Sequence, residues 1–141
     1  MRIRGFQPAD EAAVVALWNE CGLTRPWNDP HKDIARKLTE QPELFLVGAI
    51  GSEVVASVMA GFDGHRGWVY YLAVAERHRK RAYGRALMHE AERLLIERGC
   101  PKINLQVRSS NPGVLEFYRK LGYSQDQTVS LGKRLIPDEA K

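Results

Sequence analysis

The sequence predicts an α+β fold, an α/β/α sandwich around a mixed and mostly antiparallel central sheet. Three observations lead to this prediction. In the middle of the chain, short glycine-containing turns separate three apolar runs rich in β-branched and aromatic residues, which is typical of an antiparallel meander. Two segments with helical periodicity precede this meander. After it, a long amphipathic helix lies between two apolar strands, which indicates a parallel, right-handed crossover from the fourth strand through the third helix to the fifth strand.

The first part of the chain is predicted to contain a strand and two helices. Residues 1–6 alternate as a short strand, and Pro8 suits the first turn of a helix, where its missing N–H is not needed. Residues 24–30 contain two prolines and an Asn-Asp pair, which favour a loop, and a polar helix is expected from His31 to Glu40. The first helix ends at Gly22 and carries apolar residues at helical spacing. These residues are Val14, Leu17, Trp18 and Cys21.

The meander is expected to consist of three strands that follow each other along the chain. A tight turn at residues 51–52 joins Leu44–Ile50 to Val54–Phe62, and a second turn at residues 63–67 leads to Trp68–Val74. Sequential strands joined by such short turns pair as antiparallel neighbours. The middle of the chain therefore predicts the antiparallel part of the sheet.

The last part of the chain is predicted to alternate helices and strands. A helix is expected over residues 82–98, because its apolar residues form one stripe and Gly99 ends it. A strand follows at Ile103–Val107, and a further helix is expected over residues 111–122. A final strand is expected at Val129–Ile136, and this strand could pair across a homodimer.

Length and composition fit one globular domain over residues 1–141. The chain is 44% hydrophobic and 27% charged, which argues against a disordered or fibrous protein. Its two cysteines, Cys21 and Cys100, are far apart in sequence, so reduced thiols are favoured over a disulfide. No apolar run has the length of a signal peptide or a membrane helix. We therefore expect a cytoplasmic protein with no membrane partner.

The positive charge of the chain is concentrated in one segment. The chain has 21 Lys and Arg against 17 Asp and Glu. Residues 77–85 hold five of the basic residues and no acidic one, which leaves 16 basic against 17 acidic residues in the rest. A near-neutral protein with one basic segment favours a single anionic ligand over an extended nucleic-acid surface. We therefore expect no nucleic-acid partner.

This basic segment lies between the strand that ends at Val74 and the helix that follows. The N-terminus of a helix offers unpaired backbone N–H groups and a positive dipole end. The small residues Ala82 and Gly84 let a ligand approach this backbone, and basic side chains stand at positions 79, 80, 81 and 85. Together these features indicate a phosphate or pyrophosphate site. The alternative interpretation is a solvated basic start of a helix.

A second motif covers residues 111–123. Helix capping explains Asn111 followed by Pro112 at the first helical position. Tyr118 is harder to explain by burial alone, because a buried phenol needs a hydrogen-bond partner. The motif therefore begins with a helix cap and contains a tyrosine that is a candidate functional residue.

These two motifs resemble the signatures of the GCN5-related N-acetyltransferase (GNAT) superfamily. Arg79-Lys-Arg-Ala-Tyr-Gly84 is similar to its pyrophosphate signature, and residues 111–123 are similar to its second signature, with Phe117-Tyr118 in the corresponding place. The resemblance implies the GNAT fold and an enzyme that transfers an acetyl group from acetyl-CoA to a primary amine. The acceptor would be a small molecule or a peptide that attacks directly in a ternary complex. Further segments resemble the small YpeA-like bacterial acetyltransferases. These are residues 25–30, 64–67, 99–103 and 130–136.

The resemblance also implies roles for individual residues. Tyr118 would donate a proton or a hydrogen bond to the departing thiolate, and backbone N–H groups near Leu72–Val74 would hold the acetyl oxygen. Ala82 stands where the family usually has Gly, and we expect a negative φ there, as in the first turn of a helix, which Ala tolerates. The residues implied to bind the cofactor are Leu72, Ala73, Val74, Arg79, Lys80, Arg81, Ala82, Tyr83, Gly84, Arg85, Asn111, Phe117 and Tyr118.

The sequence offers several candidates for the acceptor side and the catalytic base. Gln106 stands where ribosomal-protein N-terminal acetyltransferases of this superfamily tend to have Glu, and Gln cannot act as a base. Asp63 and His65 are candidate bases, although turn chemistry also explains Asp63. The candidates for a wall of the acceptor site are Trp27, Asn28 and Asp29, which an ordered turn would also explain.

Two other expectations concern metals and the alternative to catalysis. The histidines show no metal-ligand spacing, so no metal is expected. The alternative to an enzyme is a non-catalytic module of the same fold that binds a CoA ester and regulates another process. Loss of catalysis in this superfamily normally affects the tyrosine or the cofactor strand. Because Tyr118 is present, the enzyme is favoured.

Overall fold

The computed structural model describes residues 1–108 and 110–138. The strands and helices are β1 (Arg2–Gly5), α1 (Glu11–Glu20), α2 (Pro30–Lys37), β2 (Phe45–Ile50), β3 (Glu53–Phe62), β4 (Gly67–Val74), α3 (Tyr83–Glu97), β5 (Ile103–Leu105) and α4 (Pro112–Lys120). The strands form one sheet in the order β1-β2-β3-β4-β5, and helices flank it. Short 3-10 turns precede α1 and β2 and follow β4.

The pairing of the strands confirms the predicted fold class. β1, β2, β3 and β4 pair as antiparallel neighbours, as expected for a meander. β4 and β5 pair in parallel, with α3 as the connection between them. The mixed sheet with its parallel β4–α3–β5 unit is therefore present.

The core lies between the sheet and the helices, and it orients α1 and α3 on the sheet. Trp18 of α1 and Leu87 of α3 are both fully buried. The rings of Trp18 and Phe45 lie 6.1 Å apart, and the rings of Phe45 and Phe6 stack at 4.4 Å. Aromatic pairs at such distances add stability beyond the area that they bury. This packing places α1 against the sheet.

The predicted final strand at Val129–Ile136 is wrong. Within the described residues, this segment belongs to no strand. Polar contacts hold it instead: Ser130 bonds to Gln106 beyond β5, and Arg134 bonds to Asn28 in the loop before α2. The apolar pattern alone suggested a strand, but the side chains of Val129 and Leu131 are 85% and 91% exposed. We call residues 129–138 the C-terminal segment.

Two other expectations can be compared with the structure. Cys21 and Cys100 are both free thiols. Across residues 1–108 and 110–138, none of the helices combines the length and the apolar character needed to cross a bilayer.

Candidate active site

The edge of β4 opens beside the last residue of β5. The two strands pair only from Gly67 to Val69, and β4 continues to Val74 with no strand on that side in the described part of the chain. The Ala75 N–H donates to the Val55 carbonyl at 2.8 Å. Because backbone groups alternate in direction along a strand, Leu72 and Val74 direct theirs away from β3. These groups therefore face the opening between β4 and β5.

A β-bulge distorts β4 within this open stretch. Ser57 pairs with Ala73 and Met59 pairs with Tyr70, so two residues of β4 lie opposite one residue of β3. The bulge places Tyr71 at a φ of 54°, in the left-handed region. Such a conformation is uncommon for a bulky residue and persists only where the surroundings enforce it.

A buried serine and a tryptophan hold the bulge in place. The Ser57 hydroxyl donates to the Tyr71 carbonyl at 2.9 Å, and the Trp18 indole N–H donates to the Ser57 hydroxyl at 2.9 Å. The Trp18 and Tyr71 rings stack at 3.8 Å. Since Ser57 and Trp18 are fully buried, the Ser57 hydroxyl supplies the Trp18 N–H with an acceptor and the Tyr71 carbonyl with a donor.

Replacing Ser57 with Ala is expected to destabilise the fold by about 2 kcal/mol. The change leaves the Trp18 N–H and the Tyr71 carbonyl without a partner, and a buried unsatisfied polar group costs about 1–3 kcal/mol. Urea unfolding measures the loss. Ser52→Ala, in an exposed turn, is the control and should change stability by less than about 0.5 kcal/mol. Equal effects of the two substitutions would contradict the role of Ser57.

The loop before α3 has a backbone suited to an anion, and it corrects one expectation. Ala82 has a φ of 61°, not the expected negative value. The helix begins one residue later, at Tyr83, so Ala82 is the N-cap and lies outside the helical region. Lys80 is also left-handed, with a φ of 66°. Ala82 stands directly before the right-handed start of the helix, and a left-handed residue in such a turn directs successive N–H groups to one side, which is an anion-binding arrangement.

Replacing Ala82 with Gly is expected to stabilise the protein by about 0.5–1 kcal/mol. The left-handed conformation costs an L-residue about 1–2 kcal/mol, and the greater freedom of Gly in the unfolded chain offsets part of the gain. Thermal or urea unfolding measures the change. The same substitution at Ala86, inside α3, should instead destabilise by about 1 kcal/mol. A loss of stability at both positions would show that Ala82 is not strained.

The basic side chains around this loop have different partners. Arg77 forms an ion pair with Glu53, and Arg79 donates from Nε to the Val74 carbonyl at 3.2 Å. Arg81 lies 3.3 Å from the His78 ring. No ion pair involves Lys80 or Arg85 among the residues that the structure describes. Four of the basic residues, at positions 79, 80, 81 and 85, therefore have no carboxylate partner there, and of these Arg79 is engaged by a backbone carbonyl.

Helix α4 meets the start of α3 and the end of β4 at one point. A Cβ added to Gly84 would lie 3.3 Å from the Phe117 ring and 3.6 Å from the Val74 side chain. Only a small residue fits at position 84 without displacing these groups. The structure thus brings together Val74, Gly84 and Phe117, three of the residues expected at the cofactor.

Tyr118 lies beside this junction. Its ring contacts Phe117 edge-to-face at 5.1 Å and Tyr123 at 5.7 Å. Burial raises the pKa of the Tyr118 phenol to about 12. Among the described residues, none shares a hydrogen bond with its hydroxyl. The phenol is therefore a neutral hydrogen-bond donor at physiological pH.

Other candidate residues have structural partners. The Asn111 side chain accepts from the Val114 N–H, which is the expected cap of α4. The Asp63 carboxylate accepts from the N–H groups of His65 and Arg66 at 2.8 and 2.7 Å, so it closes the turn before β4. These turn contacts lower the pKa of Asp63. The turn adjoins the beginning of β4, about 13 Å along the strand from Tyr71.

The residues expected at the acceptor wall lie before and at the start of α2. Trp27 is 50% exposed. Asn28 accepts from Arg134 of the C-terminal segment. Asp29 caps α2 by accepting from the His31 and Lys32 N–H groups. Two of the three side chains are therefore engaged within the protein, and Trp27 remains exposed.

Comparison with known proteins identifies the family. The model of the acetyltransferase (GNAT) family matches residues 12–123. The chain belongs to this family. Curated acetyltransferases of Yersinia enterocolitica and Sodalis glossinidius are 51% and 52% identical to it over 139 and 140 residues, and each match covers 99% of both chains. As a GNAT protein, the chain is an acyltransferase.

Solved GNAT structures share the fold. Ard1 from Thermoplasma volcanium has a TM-score of 0.77 at 28% identity, and the match covers 87% of this chain and 82% of that one. The aminoglycoside antibiotic 6'-N-acetyltransferase of Acinetobacter haemolyticus also has a TM-score of 0.77, at 16% identity, with 96% and 99% covered. The latter similarity supports the fold alone.

Sequence reasoning missed one group of residues in this GNAT chain. The Tyr71 hydroxyl donates to Asp33 of α2 at 2.6 Å, and Arg36 joins Asp33 to Asp138. Burial and the Asp33 carboxylate raise the pKa of Tyr71. The only sequence signal was an aromatic residue in a strand, because these side chains are far apart along the chain.

No group of three or more His, Cys, Asp or Glu residues within residues 1–108 and 110–138 is arranged to hold a metal ion.

Proposed function

We propose that this chain transfers an acetyl group from acetyl-CoA to a primary amine of a small molecule or a peptide. The observation that supports the proposal most strongly is the continuity of three features. The open edge of β4 leads to the loop at residues 79–85, and Tyr118 of α4 lies beside the point where they meet. A CoA ester has a long polar arm and a pyrophosphate, which match the open strand edge and the loop.

The residues present fit a CoA ester. The loop offers backbone N–H groups at a helix N-terminus, which favour a pyrophosphate. Lys80, Arg81 and Arg85 supply positive charge without a carboxylate partner in the described structure. The N–H groups of Leu72 and Val74 face the opening, where an extended arm would find hydrogen bonds. The Val74 carbonyl already accepts from Arg79 and Cys21, so its N–H is the more available group.

In the proposed chemistry, backbone N–H groups act on the acetyl oxygen and a side chain acts on the leaving group. Acetyl-CoA, when bound, supplies the acetyl group and a thiol leaving group of pKa near 8.5. The N–H groups near Leu72 would stabilise the negative charge that develops on the acetyl oxygen during attack. Tyr118 would stabilise the departing thiolate with a hydrogen bond. Burial raises the pKa of its phenol to about 12, well above that of a thiol, so the phenol stays neutral over the whole physiological range and keeps its proton.

The acceptor side belongs to the proposal as well. Trp27 offers an apolar surface for the acceptor. Of the two candidate bases we retain His65, because the turn amides engage the Asp63 carboxylate. Its position at the far end of β4 requires a water relay to the amine. We place the reaction in the cytoplasm, in keeping with the two free thiols.

Binding of CoA is the first test, and thermal unfolding measures it. At 100 times its dissociation constant, a ligand stabilises a protein by about 2.7 kcal/mol, or roughly 5–10 °C for a chain of this size. Acetyl-CoA and free CoA should both produce such a shift, and a nucleotide without the pantetheine arm should produce a smaller one. No shift at millimolar acetyl-CoA would overturn the proposal. If acetyl-CoA raises the unfolding temperature but no amine in a panel causes thiol release, the non-catalytic binding module would be favoured.

A further inference from the structure

Side chains link the C-terminal segment to the bulge of β4. The Asp138 carboxylate accepts from Arg36 Nη2 at 2.9 and 2.8 Å, and the same nitrogen donates to Asp33 at 3.1 Å. Asp33 in turn accepts from the Tyr71 hydroxyl at 2.6 Å. A continuous chain of hydrogen bonds therefore runs from residue 138, through α2, to residue 71.

The end of this chain at Asp138 is anchored more firmly than a surface ion pair. The Asp138 side chain is only 2% exposed. It also accepts from the Asp29 N–H at 2.8 Å, and the Asp138 carbonyl accepts from Lys32 Nζ at 2.7 Å. The Asp29 amide and the Arg36 guanidinium lower the pKa of the Asp138 carboxyl. A buried carboxylate with this many donors fixes the position of α2 relative to the C-terminal segment.

The other end of the chain is the strained residue of the candidate site. Tyr71 has a positive φ, and its neighbour Leu72 carries the N–H assigned above to the acetyl oxygen. The phenol contacts Asp33 on one side, while the ring stacks on Trp18. A shift of the phenol would therefore alter the direction of the Leu72 N–H. Catalytic donors lose their effect when they move by about 1 Å.

We infer that Asp138 is a positioning residue, which acts through Arg36 and Asp33 to hold Tyr71 and the β4 bulge in the conformation that acetyl transfer needs. The inference rests on the proposed function for its catalytic consequence. The structural coupling between residues 138 and 71 can be measured without that function.

The first experiment measures this coupling in the ligand-free protein. In ¹H–¹⁵N spectra, Asp138→Asn should shift the amide signals of Tyr71 and Leu72, and hydrogen exchange of the Ala73 amide should become about 10-fold faster. Asp126→Asn is the matched control, since Asp126 is a carboxylate bonded to Lys102 and Asn104. It should leave these three amides unchanged. The absence of any effect of Asp138→Asn on them would overturn the inference.

Tyr71→Phe tests the same chain from its other end. If the two residues act through one network, the double variant should exchange at Ala73 no more than about twofold faster than the more affected single variant. Independent effects would multiply. If the two effects multiply, Asp138 does not act on the bulge through this network, and the inference is overturned.

The catalytic consequence is a split between turnover and cofactor binding. Asp138→Asn should lower kcat about 10-fold while the Kd for CoA, measured by calorimetry, changes less than about twofold, because the loop at residues 79–85 is not part of the network. Parallel loss of kcat and CoA affinity would indicate general damage and contradict a positioning role. If the wild type binds no CoA, the proposed function fails, but the amide coupling still decides whether the network exists.

Discussion

Tyr118→Phe is expected to lower kcat by about 10- to 100-fold and to leave the Kd for CoA within about twofold. The substitution removes the phenol O–H beside the junction of β4, α3 and α4 while it keeps the ring that packs on Phe117. General acid catalysis usually contributes 100-fold or more, but a thiolate is a fair leaving group, so the smaller range is expected here. Thiol release with a primary amine from the panel measures kcat, and calorimetry with CoA measures binding.

The pH dependence makes this prediction sharper. Because burial raises the pKa of Tyr118 to about 12, the phenol stays protonated up to about pH 11. The ratio of wild-type to Tyr118→Phe rates should therefore be constant between pH 6 and 9. A ratio that changed within that window would mean that another titrating group assists the departing thiolate, and equal rates would remove Tyr118 from the mechanism.

A second tyrosine provides the matched control. Tyr123 contacts the Tyr118 ring, but its hydroxyl donates to Glu92 at 2.6 Å. Tyr123→Phe also removes a phenol oxygen from this aromatic cluster, so it reproduces the change in packing. Its kcat should stay within about threefold of the wild type. A loss as large as that of Tyr118→Phe would attribute both effects to disturbed packing.

Local patterns were sufficient to predict most of the fold. The meander is specified by short turns at residues 51–52 and 63–67, and those turns leave its strands little choice of partner. Helix α3 carries a stripe of apolar residues, and Gly99 follows its C-terminus. The final strand failed because an alternating apolar pattern becomes a strand only where another strand pairs with it. Here polar contacts to Gln106 and Asn28 hold the segment instead.

The candidate site was predictable in its motifs and not in its backbone geometry. The basic segment and Tyr118 can be recognised from residue types and spacing alone. The left-handed conformation of Ala82 depends on where the helix begins, and a shift of one residue in that start reverses the expected φ. The bulge at Tyr71 depends on a serine in the neighbouring strand and a tryptophan in α1. No local pattern contains that information, because it arises from contacts between distant segments.

The triple variant Lys80→Gln, Arg81→Gln, Arg85→Gln is expected to weaken CoA binding by about 100-fold. These three side chains have no carboxylate partner among the described residues, so their charge is available to the phosphates of the ligand. Each charge-assisted contact at an exposed site contributes about 1 kcal/mol, and three of them amount to about two factors of ten. Calorimetry with CoA measures the loss, and urea unfolding should show little change in stability.

Two further measurements distinguish individual phosphate contacts from a general effect of charge. They are the salt dependence of CoA binding and the affinity of the Arg77→Gln variant. The affinity of the wild type for CoA should fall as ionic strength rises, and the triple variant should lose most of that dependence, because screening acts on exposed charges. Arg77 belongs to the same basic segment but pairs with Glu53. Arg77→Gln should therefore change the Kd for CoA by less than about threefold. If it weakened binding about fivefold, which is a third of the triple variant's expected loss in free energy, the segment would act through its total charge, and the assignment of individual phosphate contacts would be wrong.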